Sequence, residues 1–528
     1  MSRERCLATS RLRRIRRRGV ARAWALWYAA NVVWRSAGVA AIALSYTLMA
    51  RPVRALEPEL TSDTTLQLYE MRSPSGGIAI PRRRFVTMLG VAGYDLEGKH
   101  RKPGDRELFF RARMRVDGDG GVDYDETNPH VPQRFVPGVG VAPVDLMYAY
   151  LEGRRYLGGW LGFRVGRQYS YDALGYWSFD GGLVRLTLPF GFAAEAYGGL
   201  EVRGGLPLSS PRFERDGVWR GSRRGLDVNA WPSYTDSLFA PAYGANLEWA
   251  HGLVAHAKLA YRRIDSTGTV RADVYNPRDQ AQLVQGARIS SERVAAAGDV
   301  NLGKFANLRA GAVYDLILTA PTSVYGTLDV YAARTVTVSA DYDFLRPSFD
   351  GDSIWNYFVT YPSYDTGLRV SWTPTRHWAL SVGSHARALF EPTLDTRETT
   401  HTRGTSITPD SDTRWNGGGH LSVRYNYDSG RYGARADFTK GPEGHRVGGD
   451  VFAERTIDAR YLLMGRVSLY DFASTTRPDR GALSLGMVGG VGYQLTRRAR
   501  TMLEIENNLS ATYGQRWRVL ASLGIAVF

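Results

Sequence analysis

Cysteine is almost absent from this 528-residue sequence. The only one is Cys6, which lies in an arginine-rich leader, so the chain that follows cannot form a disulfide. This excludes the class of small exported domains that disulfides hold together. After residue 55 there is also no apolar run of the roughly 20 residues that a transmembrane helix requires. Backbone pairing and apolar burial must therefore hold the chain together.

Net positive charge is small outside the leader, although the whole sequence carries a formal charge of +15. Residues 1–55 contain twelve arginines and a single acidic residue, Glu4, so the leader accounts for +11 and the remaining chain for only +4. A protein that binds phosphate backbones needs its basic residues on the folded body. The charge distribution therefore argues against nucleic acid as a partner.

The leader has the three parts of a secretory signal peptide. Arginines precede an apolar run at 36–50, and the sequence VRA at 53–55 follows as a cleavage site. We therefore expect 1–55 to be a signal peptide. An uncleaved membrane anchor is the alternative, but the apolar run is short for a span of about 20 residues.

Alternation of apolar and polar residues dominates the rest of the chain. In 108–117, LFFRARMRVD, every second residue is apolar, and the residues between them include three arginines. Segments 335–344 and 432–439 follow the same rule. Because successive side chains of a strand point to opposite faces, each segment is predicted to be a strand with one apolar and one charged face.

The number and spacing of these segments predict the fold. About twenty of them, with a range of roughly 18 to 22, are joined by short turns that tend to alternate with longer polar loops, as in transmembrane barrels with short periplasmic turns and long extracellular loops. The sequence predicts an all-β protein with a single closed antiparallel transmembrane β-barrel over 106–528. The segment 56–105 is either separate or contributes the first strands. A secreted propeller or solenoid is the soluble alternative, but no motif recurs at a fixed period.

The last segment, 516–528, has the same alternation. Its strand is expected to close the barrel against the first strand, because lipid cannot satisfy the backbone groups of an open edge. The terminal Phe528 resembles the C-terminal phenylalanine of outer-membrane barrels. We therefore expect this protein in the outer membrane of a Gram-negative bacterium, in contact with membrane lipids and lipopolysaccharide.

The most specific motif lies within 163–199 and combines the sequences GRQ and FDG. Its residues are Gly166, Arg167, Gln168, Phe179, Asp180 and Gly181. This pattern resembles the alginate-export family of outer-membrane porins and the barrels of exopolysaccharide secretion. The resemblance implies about eighteen strands, an arginine-lined lumen that passes an anionic polysaccharide, and a periplasmic polysaccharide-export protein as a partner. The alternative is that the glycines are turn and packing residues only.

Arginines on the polar faces are assigned to the barrel interior, where water solvates them. The predicted lumen-lining residues are Arg111, Arg113, Arg115, Arg164, Arg185, Arg369, Arg387 and Arg435. Such a lumen favours export of an acidic exopolysaccharide as the function. The alternative function is a substrate-selective or general diffusion porin for small solutes.

The segment 203–241 combines arginines with aromatic residues, among them Trp219, Arg220, Arg223 and Trp231. Aromatic rings pack on the apolar faces of sugars and guanidinium groups bind carboxylates, so these four residues are candidates for contact with a glycan. A loop that folds on itself or contacts lipopolysaccharide explains the composition equally well.

Metal and catalytic signatures are weak. Asp117, Asp119 and Asp123 are spaced like calcium ligands, but the sixth and twelfth positions lack the glycine and glutamate of a calcium loop, so a solvated acidic loop is expected. Nine histidines are scattered without ligand spacing. No Gly-x-Ser-x-Gly motif is present. We expect no metal, no cofactor and no enzymatic activity.

Overall fold

The computed structural model describes residues 57–97, 104–119, 144–202, 240–266, 270–271, 274–275, 283–284, 288–347, 362–391, 401–402, 412–442, 444–474 and 477–527. The predicted signal peptide at 1–55 lies outside this part of the chain and stays a prediction. Among the described residues, no helix has the length and apolar character that crossing a membrane requires.

Twenty-two strands form one sheet. They are β1 (Glu57–Arg72), β2 (Ile78–Tyr94), β3 (Glu107–Asp119), β4 (Val144–Arg155), β5 (Leu161–Asp172), β6 (Gly175–Thr187), β7 (Phe192–Glu201), β8 (Pro241–His251), β9 (Ala255–Ser266), β10 (Arg288–Asn301), β11 (Ala306–Asp315), β12 (Ala320–Ala333), β13 (Val336–Leu345), β14 (Ser363–Trp372), β15 (Trp378–Glu391), β16 (Asp412–Tyr427), β17 (Gly430–Gly441), β18 (Gly444–Ile457), β19 (Tyr461–Ser474), β20 (Arg477–Thr496), β21 (Ala499–Ser510) and β22 (Gly514–Val527).

A few short elements lie outside this sheet. Val270–Arg271 pairs with Leu283–Val284, and Val274–Tyr275 pairs with His401–Thr402. Single helical turns at Tyr156–Gly159 and Pro189–Gly191 join β4 to β5 and β6 to β7.

The sheet closes on itself. Each strand pairs antiparallel with the next in sequence, and β22 pairs with β1 from Leu60↔Val527 to Arg72↔Gln515. The prediction of an all-β, closed antiparallel barrel is therefore confirmed, with 22 strands where the alternation predicted about twenty. The strands β1 and β2 lie in the segment 56–105 that the alternation left open. Polar residues such as Ser62 and Thr64 on the outer face of β1 weaken its pattern.

The outer face of the barrel is apolar. Leu421 on β16, Val451 on β18 and Leu469 on β19 are each about half exposed. In water such a belt would be unfavourable, whereas lipid covers it at no cost. Aromatic rings gather near the short turns, where Trp378 lies 4.9 Å and Tyr432 5.2 Å from Tyr425. This is the architecture of a barrel in the outer membrane of a Gram-negative bacterium, with aromatic girdles at the interface.

The two rims of the barrel differ in the length of their connections. From β4 to β20, every even-numbered strand is followed by a connection of two to five residues, whereas β3–β4 and β7–β8 are separated by 120–143 and 202–240. The polar residues of 169–180 and 473–482 predict two of the longer loops, and the structure contradicts this. Most of each segment is strand: β5 and β6 cover 169–172 and 175–180, and β19 and β20 cover 473–474 and 477–482. The two-residue alternation did not reveal these strands, because a hairpin that extends beyond the lipid can carry polar or aromatic residues on both faces.

Candidate functional site

The charged faces of the strands are turned toward the interior. On β3, Phe110 and Met114 belong to the exposed apolar face, so Arg111, Arg113 and Arg115 lie on the opposite, inner face. The same parity places Arg164 on β5, Arg185 on β6, Arg369 on β14, Arg387 on β15 and Arg435 on β17 inside the barrel. The structure thus distributes these eight arginines around the wall and does not gather them into one site.

Acidic side chains on adjacent or next-but-one strands pair with several of these arginines. Arg113 Nη2 lies 2.7 Å from Asp63 Oδ2 on β1, across the intervening β2. Arg164 Nε lies 3.0 Å from Glu152 Oε2, and Arg387 Nη2 lies 2.6 Å from Asp365 Oδ2. The positive charge that the sequence places in the lumen is to this extent neutralised locally.

The remaining predicted lumen arginines are held in different ways. Arg185 bonds Glu248 and lies 3.6 Å from Glu195. Arg111 donates to the hydroxyl of Tyr94 at 2.8 Å, and Arg115 is 4% exposed. Arg435 approaches Asp437 only to 3.8 Å. Arg369 is exposed and has no ion pair with another described residue. Similar pairs elsewhere on the wall are Arg431–Glu454, Arg466–Asp450, Arg516–Glu506 and Arg518–Glu504.

A row of glycines runs across three strands at the GRQ and FDG motif. Gly166 on β5 is opposite Gly181 on β6, which is opposite Gly199 on β7. Gly166 has φ +124°, and a Cβ there would overlap the carbonyl oxygen of Ala149. A Cβ at Gly181 would overlap the carbonyl of Gly198. Only glycine permits this close approach of backbones, so the row marks a bend in the wall.

Beyond this row, β5 leaves its neighbour β4. The two strands pair from Gly153↔Phe163 only as far as Ala149↔Arg167, although both continue past that point. Arg167 Nη1 donates to the carbonyl of Leu146 at 3.1 Å, and the guanidinium holds Asp180 through two bonds of 2.7 and 2.8 Å. Arg167 therefore supplies a donor to the β4 backbone where β5 no longer does.

The tip of the β5–β6 hairpin, residues 168–179, folds into the lumen and is here called the inward hairpin. Asp172 at its tip accepts two bonds, of 2.8 and 2.9 Å, from Arg262 Nη2 on β9. Four steps of about 4.8 Å separate β5 from β9 along a sheet, so this bond requires the hairpin to cross over β7 and β8. Tyr169 correspondingly lies 5.6 Å, ring to ring, from Tyr148 on the inner face of β4.

A dry core holds the inward hairpin against the wall. The ring of Trp177 stacks on Phe179 at 4.3 Å, and Arg262 lies 4.6 Å above the Trp177 ring. Gln168 and Phe179 are completely buried, and Gln168 donates to the carbonyl of Gly181 at 2.9 Å. The whole cluster consists of Trp177, Phe179, Leu183, Tyr197, Ala240, Ala242 and Ile264. Alternation did not indicate it, because the pattern assigns an inner face to water.

Substitution of Gly166 tests whether the bend requires a glycine at this position. We expect Gly166→Ala to destabilise the folded barrel by about 1–3 kcal/mol, because alanine rarely adopts this φ and its methyl group meets the β4 backbone. Gly182→Ala is the matched control, since a Cβ there meets nothing within 4 Å. The temperature at which the folded band disappears in a heat-modifiability gel measures the effect. Equal temperatures for both variants would contradict a bend at Gly166.

A polar cavity of about 270 Å³ lies beside the inward hairpin. Tyr169, Ser170 and Asp172 line it from the hairpin, and Arg185, Asn246 and Glu248 line it from the wall. Lys258 lies 3.1 Å from Glu248, and Asn246 Nδ2 donates to Glu195 Oε1 at 2.8 Å. The charges that line the cavity are therefore balanced, with three cations (Arg164, Arg185 and Lys258) against three carboxylates (Asp172, Glu195 and Glu248).

Some predicted site residues cannot be placed. Trp219, Arg220, Arg223, Trp231 and Asp123 lie outside the described residues. Asp117 and Asp119 are at the end of β3. Across the described ranges, no three His, Cys, Asp or Glu side chains form a set that could hold a metal ion.

No protein-family model and no curated protein matches this chain. Among solved structures it is similar to OccAB4 of Acinetobacter baumannii, with 9% identity over 90% of this chain and 100% of that one, at a TM-score of 0.39. OpdK of Pseudomonas aeruginosa, solved with vanillate, has 8% identity over 89% and 98%, at 0.37. The ferric enterobactin receptor PfeA of Pseudomonas aeruginosa has 10% identity over 88% and 81%, at 0.44. At this distance no substrate transfers from these proteins to this chain.

Proposed function

We propose that this protein is a passive outer-membrane channel for small polar solutes. The observation that carries the proposal is a wall of charged side chains that faces the lumen of a closed barrel in locally neutralised pairs, such as Arg113 with Asp63 and Arg387 with Asp365. Charged pairs on an inner face need water, and barrels of 16 to 18 strands already leave an aqueous channel. In the proposed orientation the short turns are periplasmic and the long connections extracellular.

The ion pairs weaken the case for the other function considered from the sequence, export of an acidic exopolysaccharide. A moving polyanion needs many accessible cations that bind it weakly. Arg113, Arg164 and Arg185 are already paired with carboxylates of the protein. A polymer would have to displace these carboxylates. A periplasmic export protein as partner was implied only by the family resemblance and stays a prediction.

Reconstitution into planar bilayers tests the channel. We expect stepwise currents that are ohmic at low voltage, with at most a weak preference for anions because most pairs on the wall are neutral. A deletion strain should secrete polysaccharide normally and take up a small polar solute more slowly. Polymer trapped in the periplasm of that strain, together with a silent bilayer, would instead support the export function.

A further inference from the structure

We propose that the cavity beside the inward hairpin binds one unit of a neutral sugar. The proposal deepens the proposed channel function by naming the class of solute that the lumen recognises. It rests on three properties of the cavity: its size, its charge balance and the aromatic ring at its edge.

The size fits a small solute. The cavity measures about 270 Å³, slightly below the range of about 300–1,000 Å³ that is usual for drug-sized ligands. A single sugar ring is of this scale, and a polymer can only be held through one of its units. The site therefore recognises a free monosaccharide or a single residue of a short oligosaccharide.

The charge balance favours a neutral ligand. Arg185 and Lys258 both bond Glu248, and Arg185 also approaches Glu195. An anionic ligand would have to compete with two carboxylates for the same cations, and a cationic ligand would compete with the cations. A sugar hydroxyl donates and accepts hydrogen bonds at once, so it can bond to both members of a pair and leave the pair intact.

The aromatic edge supplies the contact that sugars require on their apolar face. Tyr169 lines the cavity and is 37% exposed. The centroid of its ring lies 5.6 Å from that of Tyr148 and 6.1 Å from that of Tyr176. These neighbours restrict its rotation, so less side-chain entropy remains to be lost on binding. Asn246, whose amide bonds Glu195, supplies a planar polar group at the opposite wall.

Two measurements on the folded protein test the site. In planar bilayers, millimolar D-glucose or maltotriose should interrupt the current, while galacturonate of the same ring size and glycerol without a ring should not. Calorimetric titration of the detergent-folded barrel with D-glucose measures the same binding without requiring a current. Heat of binding in a barrel that conducts no current would refute the channel and leave the sugar site standing.

Variants locate the binding. Tyr169→Ala and Asn246→Ala should each weaken glucose binding about tenfold, which corresponds to about 1.4 kcal/mol. Arg369→Ala, on the distant β14, should leave glucose binding unchanged. Folding of every variant is checked by heat modifiability, and the ligand series is run on the unmodified protein. A conducting barrel that gives neither current block nor heat with glucose refutes the site. Galacturonate binding as tight as that of glucose refutes the neutral-ligand assignment.

Discussion

Asp172→Asn should increase the single-channel conductance of the barrel, because it releases the inward hairpin from the wall. Asp172 and Arg262 are almost completely buried, with side-chain exposures of 5% and 10%. Removing one member of a buried ion pair leaves the other charge uncompensated and typically costs about 3–5 kcal/mol. An isolated two-stranded hairpin is only marginally stable. Without the ion pair, the docked hairpin would therefore lose most of its free-energy advantage over the undocked one.

Asp365→Asn is the matched control for this experiment. It makes the same chemical change in the lumen, but the partner Arg387 is 53% exposed and neither residue contacts the inward hairpin. Exposed pairs contribute only about 0–1 kcal/mol, so the conductance should stay near that of the unmodified barrel. If Asp172→Asn and Arg262→Met both conduct like the unmodified protein, the inward hairpin does not restrict the lumen.

Ala436→Arg should prevent stable assembly in the outer membrane. Ala436 lies on the outer face of β17, opposite Leu421 on β16 and Gly449 on β18. An arginine facing lipid near the middle of the membrane costs about 2–4 kcal/mol, a large share of the stability of a typical domain. Its neighbour Arg435 faces the lumen, and Arg435→Ala removes only a loose contact of 3.8 Å with Asp437.

The two variants are compared by the fraction of heat-modifiable barrel recovered in outer membranes. We expect loss of the folded band for Ala436→Arg and normal recovery for Arg435→Ala. The reverse outcome would place β17 with its faces exchanged, which corresponds to a shift of one residue in register.

Strand number and strand faces could be predicted from the sequence because they depend on a local rule, the two-residue period of an extended chain. The partners of the arginines could not be predicted in this way. Asp63 and Arg113 are 50 residues apart and meet only because β1, β2 and β3 pair in one particular register. The eight lumen arginines were therefore assigned a face but no partner, which overstated the positive charge of the lumen.

For the GRQ and FDG motif, the residues stand out in the sequence but their structural role does not. Its residues were singled out from the sequence, and spacing alone connected them with a transported polysaccharide. In the structure, Gly166 and Gly181 bend the wall, Arg167 and Asp180 form a pair beside the bend, and Gln168 and Phe179 lie in the dry core. The sugar cavity escaped notice because it combines residues from five strands with a hairpin that was predicted to be a loop.

Where β5 separates from β4, the barrel wall is mechanically weaker than where neighbouring strands pair. In a closed sheet, hydrogen bonds link every strand to the next, so lateral tension is distributed around the whole circumference of the barrel. Before Ala149, β4 and β5 no longer pair, and side chains span the gap, namely Arg167 to the carbonyl of Leu146 and the ring of Tyr169 against Tyr148. Lateral pressure from the surrounding bilayer would therefore deform the barrel first along this line. The lumen would then be compressed more easily in one direction than in others.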